Sequence, residues 1–395
     1  AKMDSLKNAR DKVPFKINES QNAERLFGGN LSISASQLEK FNLCRFSYFC
    51  NYGLNVRERL KAEINPMQYG TIVHYILERF FREYSKEQYS VMDKDELSKI
   101  FSTYISEYAA AHFGEVQTKQ NSFMYRIKLI LENVLRLVKH TIDELTQSEF
   151  FVTDCELKIG EDVPSYTVVL PDGHKIAVCG SVDRVDIMQK NGTTYLRVID
   201  YKTGSKEFKL SDVLYGINLQ MLLYLHSIEV SGSDRYGDII PAGILYMPAT
   251  VPYISSDSLK SIDKLPDELN KKLKMNGLLL KDTEIIHGMD KTDAATYIPV
   301  KIKAGEPVSS TSLATLEEFG KIFQKVDMLI AEMGKNIYNG NIEARPLKGG
   351  HDSCEYCPYD SVCAYRRSNP INCFSVDNKT VIEEITNEIN GKEEE

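Results

Sequence analysis

Apolar side chains recur every three or four positions through much of the first 150 residues and again beyond residue 313. This period is typical of amphipathic helices with one buried face. The last of these helices should begin near Leu313, after a Ser/Thr cluster, and reach about Tyr338, because Gly340 then favours an end. The other predicted helices cover about 37–48 with Ser36 as the cap, 67–84, 94–110 and 121–146.

The pattern changes near residue 150, where segments rich in Val, Ile, Tyr and Thr are separated by turn residues. Such segments predict β-strands. The predicted strands cover about 151–159, 165–170, 175–188, 194–202, 239–246 and 297–302. Ser211 is a candidate cap for a helix that runs to about Ile228. The lysine-rich stretch 254–295 shows little periodicity and is interpreted as an insertion.

These elements predict an α/β protein, more narrowly α+β, in which a mixed sheet is flanked by helices. We expect a helical N-terminal part that carries Cys44 and His74, and a turn-rich cysteine segment near the C-terminus. The predicted boundaries are 1–30 for a linker or lead-in, 31–150 for the helical part, 151–345 for the core, 346–375 for the cysteine segment and 376–395 for an acidic, frayed tail.

The composition is that of an ordinary folded protein, since 42% of the 395 residues are apolar and 26% are charged. No apolar run approaches the roughly 18–20 residues of a membrane span, and no signal-peptide pattern is present, so we expect a cytoplasmic protein without membrane contact. A net charge of −8 argues against DNA binding over the whole protein surface, but it permits a local basic surface that binds DNA. The start at Ala1 leads us to expect a domain cut from a longer polypeptide.

Two strand segments carry the candidate chemistry, at 180–186 and 198–204. Asp200 and Lys202 are two positions apart on a strand, so their side chains share a face. A turn at Asn191-Gly192 would pair the two segments and bring Asp183 near Asp200. Carboxylates there can hold Mg²⁺ or Mn²⁺, and Lys202 can stabilise the charge that grows on a phosphate. An isolated Asp-x-Lys is more often a surface pair, so the surrounding motifs decide its meaning.

Three more side chains are candidates for the same site. Gln220 and Tyr224 are four positions apart and share a helix face, where an amide can bind a phosphate and a phenol can stack or donate. His74 follows Gly70 by one helical turn, and neutral imidazole is a metal ligand. Taken alone, each is more often a packed or surface residue.

The eight cysteines are unevenly spread, which in a protein of this size favours a metal or redox site over disulfides. Cys354, Cys357 and Cys363 form a compact C-x2-C-x5-C run. A [4Fe-4S] cluster needs four thiolates, and zinc is the main rival. From the residues alone the fourth ligand stays open. The candidates are Cys44, Cys50, Cys155, Cys179 and Cys373.

Together these segments resemble the nuclease domains of AddB-type subunits, which are RecB-like members of the PD-(D/E)XK superfamily. The similarity runs from about residue 31 to 365. One departure is Cys44-Arg45-Phe46, where the family usually has Cys-Pro-Phe. The matching segments are Leu31–Glu39 with Cys44, Tyr69–His74, Asp183, Ile199–Gly204, Gln220 with Tyr224, and the C-x2-C-x5-C run.

The resemblance implies a restriction-endonuclease-like sheet and a role for each motif. His74, Asp183, Asp200 and the Tyr201 carbonyl would hold the divalent metal, and Lys202 would be catalytic. Cys44 would be the fourth ligand of a [4Fe-4S] cluster. In this family the nuclease cuts the strand that a helicase delivers with its 5′ end leading, and an AddA-like subunit is the partner. No G-x4-G-K-[ST] phosphate loop is present in this chain, which agrees with the expectation of a fragment.

The leading hypothesis is therefore a Mg²⁺-dependent nuclease domain for single-stranded DNA, acting in double-strand-break processing and recombination. One alternative is a stand-alone RecB-like exonuclease of the CRISPR-associated type, for which the helical opening and the long 254–340 region are bulky. Another is a catalytically silent DNA-binding module, which the intact aspartates and lysine argue against. The candidates for DNA contact are Arg184, Lys206 and Lys209, although solvated surface charge explains them equally well.

Overall fold

The structure is a computed structural model of the chain. It describes residues 16–57, 66–112, 121–204, 207–250, 265–292, 294–309, 311–363, 365 and 370–393. None of the helices in these ranges combines the length and the apolar character that crossing a membrane would require.

Helices precede, interrupt and follow the sheet. The helices are α1 (Ser20–Phe27), α2 (Ala35–Leu43), α3 (Arg45–Tyr48), α4 (Pro66–Glu83), α5 (Lys86–Tyr89), α6 (Lys94–His112), α7 (Asn121–Gln147), α8 (Gln220–Ser231), α9 (Ser233–Tyr236), α10 (Leu265–Leu273), α11 (Thr283–Met289), α12 (Leu316–Tyr338) and α13 (Asn378–Glu393). A π-helical turn, Phe49–Gly53, continues α3, and a 3₁₀ turn, Leu210–Tyr215, precedes α8.

The strands are β1 (Leu31–Ile33), β2 (Phe151–Ile159), β3 (Thr167–Val169), β4 (Lys175–Val178), β5 (Gly180–Lys190), β6 (Thr193–Lys202), β7 (Ile239–Pro248), β8 (Asn276–Leu280), β9 (Lys301–Lys303), β10 (Glu306–Val308), β11 (Leu313–Ala314), β12 (Leu347–Gly349) and β13 (Ile371–Cys373). Six of them form the central sheet in the order β11-β8-β7-β6-β5-β2. The sheet is mixed, because β6 and β7 are parallel while β2, β5 and β6 are antiparallel. This confirms the predicted fold class.

The hairpin of β5 and β6 has the register that the sequence predicts. Its turn residues Asn191 and Gly192 both have positive φ, 51° and 82°, which is the backbone of a tight hairpin turn. The pairing joins Lys190 to Thr193 at the turn and reaches Arg184 opposite Ile199. The next positions along the two strands are therefore Asp183 and Asp200, so the register brings the two aspartates to one end of the hairpin.

The predicted strand 175–188 is two strands, β4 and β5, and only the last two residues of the predicted strand 297–302 belong to a strand, β9. Two further sheet predictions also need correction. The strands β3 and β4 do not join the central sheet, because they pair with each other and with β1 in a separate sheet of three. The predicted insertion 254–295 contains β8, which lies between β7 and β11 in the central sheet. Four of its five residues are buried, and a buried strand shows an apolar run without alternation. Residues 251–264 lie outside the described ranges.

Two helix starts also differ from the prediction. Ser34, and not Ser36, caps α2 through a capping box with Gln37. The predicted helix from Ser211 is interrupted, because Gly216 at φ 70° and Asn218 at φ 59° end the 3₁₀ turn before α8 begins. Because of this break, α8 starts at Gln220, and the side chain of Gln220 reaches the end of β6.

The chain ends are more ordered than predicted. Within the predicted lead-in, residues 20–27 form α1, whose Ala23 is fully buried. The predicted frayed tail forms α13, where Val381 and Ile385 are 0% exposed and pack in the main core. Glu388 on this helix pairs with Lys325 of α12. The acidic residues are the solvent face of an amphipathic helix, which explains why composition alone predicted a frayed end.

Candidate active site

The strands β5 and β6 separate where the two aspartates lie. Their pairing ends at Arg184 and Ile199, whereas β6 continues to pair with β7 as far as Lys202. The backbone of Tyr201 therefore has no partner on β5, and its N–H donates instead to Asp183 Oδ2 at 2.8 Å. The same separation leaves the Tyr201 carbonyl oxygen facing the site.

Helix α4 brings His74 to this carbonyl. His74 Nε2 lies 3.1 Å from the Tyr201 oxygen, and Nδ1 lies 3.5 Å from Asp183 Oδ2. Gly70, one turn earlier, lies where an added Cβ would be 3.6 Å from Thr203, so the helix packs closely over the end of β6. Nothing in the sequence predicts that α4 packs against the end of β6, yet the fold brings the two together.

Asp200, Lys202 and Gln220 form the other half of the site. Lys202 Nζ lies 2.5 Å from Asp200 Oδ2, and the Gln220 amide donates to Asp200 Oδ1 at 3.0 Å. Lys202 also donates to Gln220 Oε1 at 3.3 Å. The Asp200 side chain is 3% exposed and that of Lys202 is 26% exposed, so the carboxylate is buried beneath an ammonium that reaches solvent.

Burial and charge shift the titration of the site. Burial raises the pKa of Asp183 to about 7, and the neighbouring charge of Asp200 acts in the same direction. Burial alone would lower the pKa of His74, but hydrogen bonding to Glu156, the charge of Asp183 and the Tyr201 carbonyl outweigh it and raise that pKa to about 9. A buried carboxyl group that resists ionisation, next to an imidazole that attracts a proton, is the kind of perturbed titration that marks a candidate functional site.

Glu156 is a site residue that the sequence analysis missed. It lies on β2, and one ligand atom from each of His74, Glu156 and Asp183 lies within 4.8 Å of the other two. Hydrogen bonding to His74 lowers the pKa of its carboxyl group. Alternation places it on a polar strand face, but nothing in the sequence indicates that this face meets α4.

The donor atoms fit a hard divalent cation. Carboxylate oxygens, a backbone carbonyl and one imidazole converge here, and Mg²⁺ and Mn²⁺ favour oxygen ligands. The ligand roles of His74, Asp183, Asp200 and Tyr201 remain predictions, and so does the catalytic role of Lys202.

The four cysteines named by the resemblance line one cavity of about 180 Å³. Cys44 comes from the start of α3, and backbone N–H groups of Ser47 and Phe46 favour its thiolate, although burial raises its pKa more strongly. The other three, Cys354, Cys357 and Cys363, come from the C-terminal segment. A fifth cysteine, Cys50, packs in the same cluster but does not line the cavity.

Comparison with known proteins agrees with this geometry. A family model for the PD-(D/E)XK nuclease superfamily matches residues 32–364, a range that includes both the acidic site and the four cysteines. The chain belongs to this superfamily. The match confirms the family predicted from the motifs.

Curated relatives of this PD-(D/E)XK chain are named as the B-type subunits of an ATP-dependent helicase/deoxyribonuclease. The protein from Clostridium acetobutylicum is 33% identical over 87% of this chain and 31% of its own length. The protein from Clostridium kluyveri is 32% identical over 96% of this chain and 34% of its own length. The protein from Thermoanaerobacter sp. strain X514 is 33% identical over 93% and 33%, respectively. The chain therefore spans about a third of the length of these relatives.

Two packing contacts hold the PD-(D/E)XK site in place. Glu39 on α2 accepts hydrogen bonds from the backbone N–H groups of Leu219 and Gln220, at 2.8 and 3.3 Å, and so caps α8. Tyr224 packs against Gly180 so closely that an added Cβ there would lie 2.4 Å from its hydroxyl oxygen. Gly180, which lies in the same segment as Asp183, must therefore lack a side chain because Tyr224 of α8 fills that space. A catalytic role for Tyr224 remains a prediction.

Arg184 was wrongly predicted to contact DNA. Its side chain is 0% exposed and pairs with Asp186 at 2.8 Å and Glu144 at 3.3 Å. Successive strand residues face opposite sides of a sheet, so Arg184 faces away from the side that carries Asp183. Lys206 lies outside the described residues. Lys209 is exposed beside Glu207, Asp212 and His351, and its DNA contact remains a prediction.

Proposed function

We propose that this chain is a Mg²⁺-dependent single-strand DNA nuclease domain of an AddB-like helicase–nuclease subunit. The proposal depends on one observation. His74, Asp183, Asp200 and Lys202 come from helix α4 and strands β5 and β6, yet they meet at one end of a hairpin. The family match and the names of the relatives support the choice of substrate class.

In this proposal His74, Asp183, Asp200 and the Tyr201 carbonyl hold the metal. When bound, a divalent ion lowers the pKa of a coordinated water and polarises the scissile phosphate. Lys202 is the side chain nearest to Asp200 with mobile N–H donors, so it can orient the attacking water or stabilise the charge that grows on the phosphate. Gln220 holds both Asp200 and Lys202 through its amide, which fixes their separation before substrate arrives.

The four cysteines around the cavity are proposed to hold a [4Fe-4S] cluster. The cavity contains thiols from both ends of the chain, and 309 residues separate Cys44 from Cys354. Two hydrogen bonds connect the same regions, from Ser353 Oγ to the Leu43 carbonyl at 2.9 Å and from the Tyr359 hydroxyl to the Val56 carbonyl at 2.7 Å. The cluster would strengthen a contact that the protein already makes, and no redox turnover is required of it.

The names of the relatives support a wider setting for this proposal. Their names combine a helicase with a deoxyribonuclease. We infer that the chain acts on DNA together with an AddA-like subunit, in the processing of double-strand breaks for recombination.

The test of the nuclease proposal is cleavage of labelled single-stranded DNA by the purified chain. Cleavage is expected with Mg²⁺ or Mn²⁺ and should stop when EDTA removes the metal, because the carboxylates alone supply no activated water. A duplex of the same sequence is the matched substrate and should be cut more slowly. DNA binding without cleavage in either metal would instead support a silent binding module.

Replacing Cys357 with serine is expected to remove iron and the brown colour, and to lower the melting temperature by on the order of 5 °C or more. A cross-link that closes a long loop restricts the unfolded chain, so its loss favours unfolding. The measurements are iron and sulphide analysis with thermal melting. Cys373→Ala is the control, because Cys373 is buried in the same segment but outside the cavity. A parent that contains zinc and no iron would contradict the cluster.

A further inference from the structure

We propose that Glu156 is a positioning residue that orients His74 for metal binding, an inference that rests on the proposed metal site. Glu156 lies between two polar side chains and contacts both. Its Oε1 lies 3.5 Å from His74 Nδ1, and its Oε2 accepts a hydrogen bond from Ser181 Oγ at 2.7 Å. The chain of contacts therefore runs from Ser181 through Glu156 to His74.

This chain of contacts determines which ring nitrogen is free for the metal. Nδ1 lies 3.5 Å from Glu156 Oε1 and also 3.5 Å from Asp183 Oδ2, whereas the opposite nitrogen, Nε2, faces the Tyr201 carbonyl oxygen at 3.1 Å. Nε2 and the Tyr201 carbonyl oxygen would therefore both be available as ligands of one divalent ion. Metal-binding histidines usually donate their second N–H to a carboxylate, which fixes both the tautomer and the ring orientation.

The backbone of β2 directs Glu156 into the site. Glu156 has φ 51°, a left-handed value that residues other than glycine seldom adopt. It lies between Cys155, which pairs with Arg184, and Leu157, which pairs with Val182, so it sits opposite Asp183. An unusual backbone conformation at such a position is typical of functional sites.

The contacts favour positioning over direct ligation. Each oxygen of Glu156 already has a protein partner, Oε1 in His74 and Oε2 in Ser181. Asp183 has its Oδ2 near both His74 and the Tyr201 N–H, on the side where the Tyr201 carbonyl and Asp200 also lie. A metal bound at Nε2 would have Glu156 Oε1 on the Nδ1 side of the imidazole, where Asp183 Oδ2 also lies at 3.5 Å.

The experiment measures Mn²⁺ binding to the full, tag-free chain without DNA. Glu156→Ala is expected to weaken Mn²⁺ binding by about 10- to 100-fold, the usual effect of losing a carboxylate behind a metal-binding histidine. Ser181→Ala should weaken it less, because Glu156 stays in contact with His74. Glu161→Gln is the charge-matched control, since Glu161 is exposed on the turn after β2 and should leave affinity unchanged.

Pulsed EPR at saturating Mn²⁺ separates positioning from ligation. The parent is expected to show coupling of Mn²⁺ to one imidazole nitrogen, and Glu156→Ala should lose or weaken this coupling while it still binds the ion. An unchanged affinity, or a lowered affinity with full nitrogen coupling, would overturn the inference, the second because Glu156 would then be a ligand itself. Failure of the parent to cleave DNA, with these binding results intact, would reject the proposed function and leave this inference standing.

Discussion

Asp200→Asn is expected to lower the rate of single-strand cleavage by about 10³-fold or more at saturating Mg²⁺. The substitution keeps the shape of the side chain but removes a charge that acts on two partners. Asp200 Oδ2 holds Lys202 at 2.5 Å, and Oδ1 accepts from Gln220 at 3.0 Å. An asparagine amide would present an N–H₂ group to one of these donors, so either the lysine or the glutamine must move.

The loss of charge also acts on the second aspartate. The charge of Asp200 helps to raise the pKa of Asp183, so Asp200→Asn should lower the pKa of Asp183 from about 7 toward its ordinary range. In the variant Asp183 would therefore ionise more readily, yet catalysis would still be lost. The loss would then come from the missing Asp200 carboxylate and not from a protonated Asp183.

The measurement is single-turnover cleavage of a labelled oligonucleotide at several Mg²⁺ concentrations. Asp234→Asn is the matched control, because Asp234 is exposed on the short helix α9, and its rate should equal that of the parent. Thermal melting of both variants checks that folding is intact. Cleavage by Asp200→Asn within about tenfold of the parent would contradict the site as described.

Local sequence rules were sufficient for the catalytic hairpin. Strand alternation gave Asp200 and Lys202 a common face, and the Asn191-Gly192 turn set the register that brings Asp183 opposite Asp200. Both are short-range effects, because the side-chain period and the turn backbone are properties of a few consecutive residues. Apolar periodicity likewise located most of the helices, although the predicted helix 37–48 is broken at Cys44 and the last long helix starts at Leu316, after the strand β11.

Contacts between distant segments could not be predicted in this way. Glu156 and Glu39 each contact residues far away in the chain, on α4 and at the start of α8. Neither has a local signal, since a glutamate on a polar face is compatible with solvent. The error at Arg184 was avoidable, because alternation from Asp183 already placed it on the opposite sheet face.

That opposite face carries a buried ionic network beneath the catalytic strands. Arg184 and Asp186 on β5, Arg197 on β6 and Glu144 on α7 are all 0% exposed. Glu144 accepts from Arg197 at 2.6 Å and from Arg184 at 3.3 Å, while Asp186 accepts from both arginines. Two positive and two negative groups balance within the core, directly behind the residues that position Asp183.

Glu144→Gln is expected to lower the free energy of unfolding by about 3–5 kcal/mol, because it leaves two buried arginines with one carboxylate. Removing one member of a buried charge set exposes the cost of desolvating the others, whereas an exposed pair contributes little. Asp143→Asn supplies the control on the same helix. Asp143 pairs with Lys139 at 3.3 Å at the surface and should change stability by less than about 0.5 kcal/mol. Urea denaturation followed by circular dichroism measures both. If both variants changed the free energy of unfolding by the same small amount, water or a local rearrangement would have replaced the lost partner of Arg184 and Arg197. The stability of the strands that carry Asp183 would then not depend on this network.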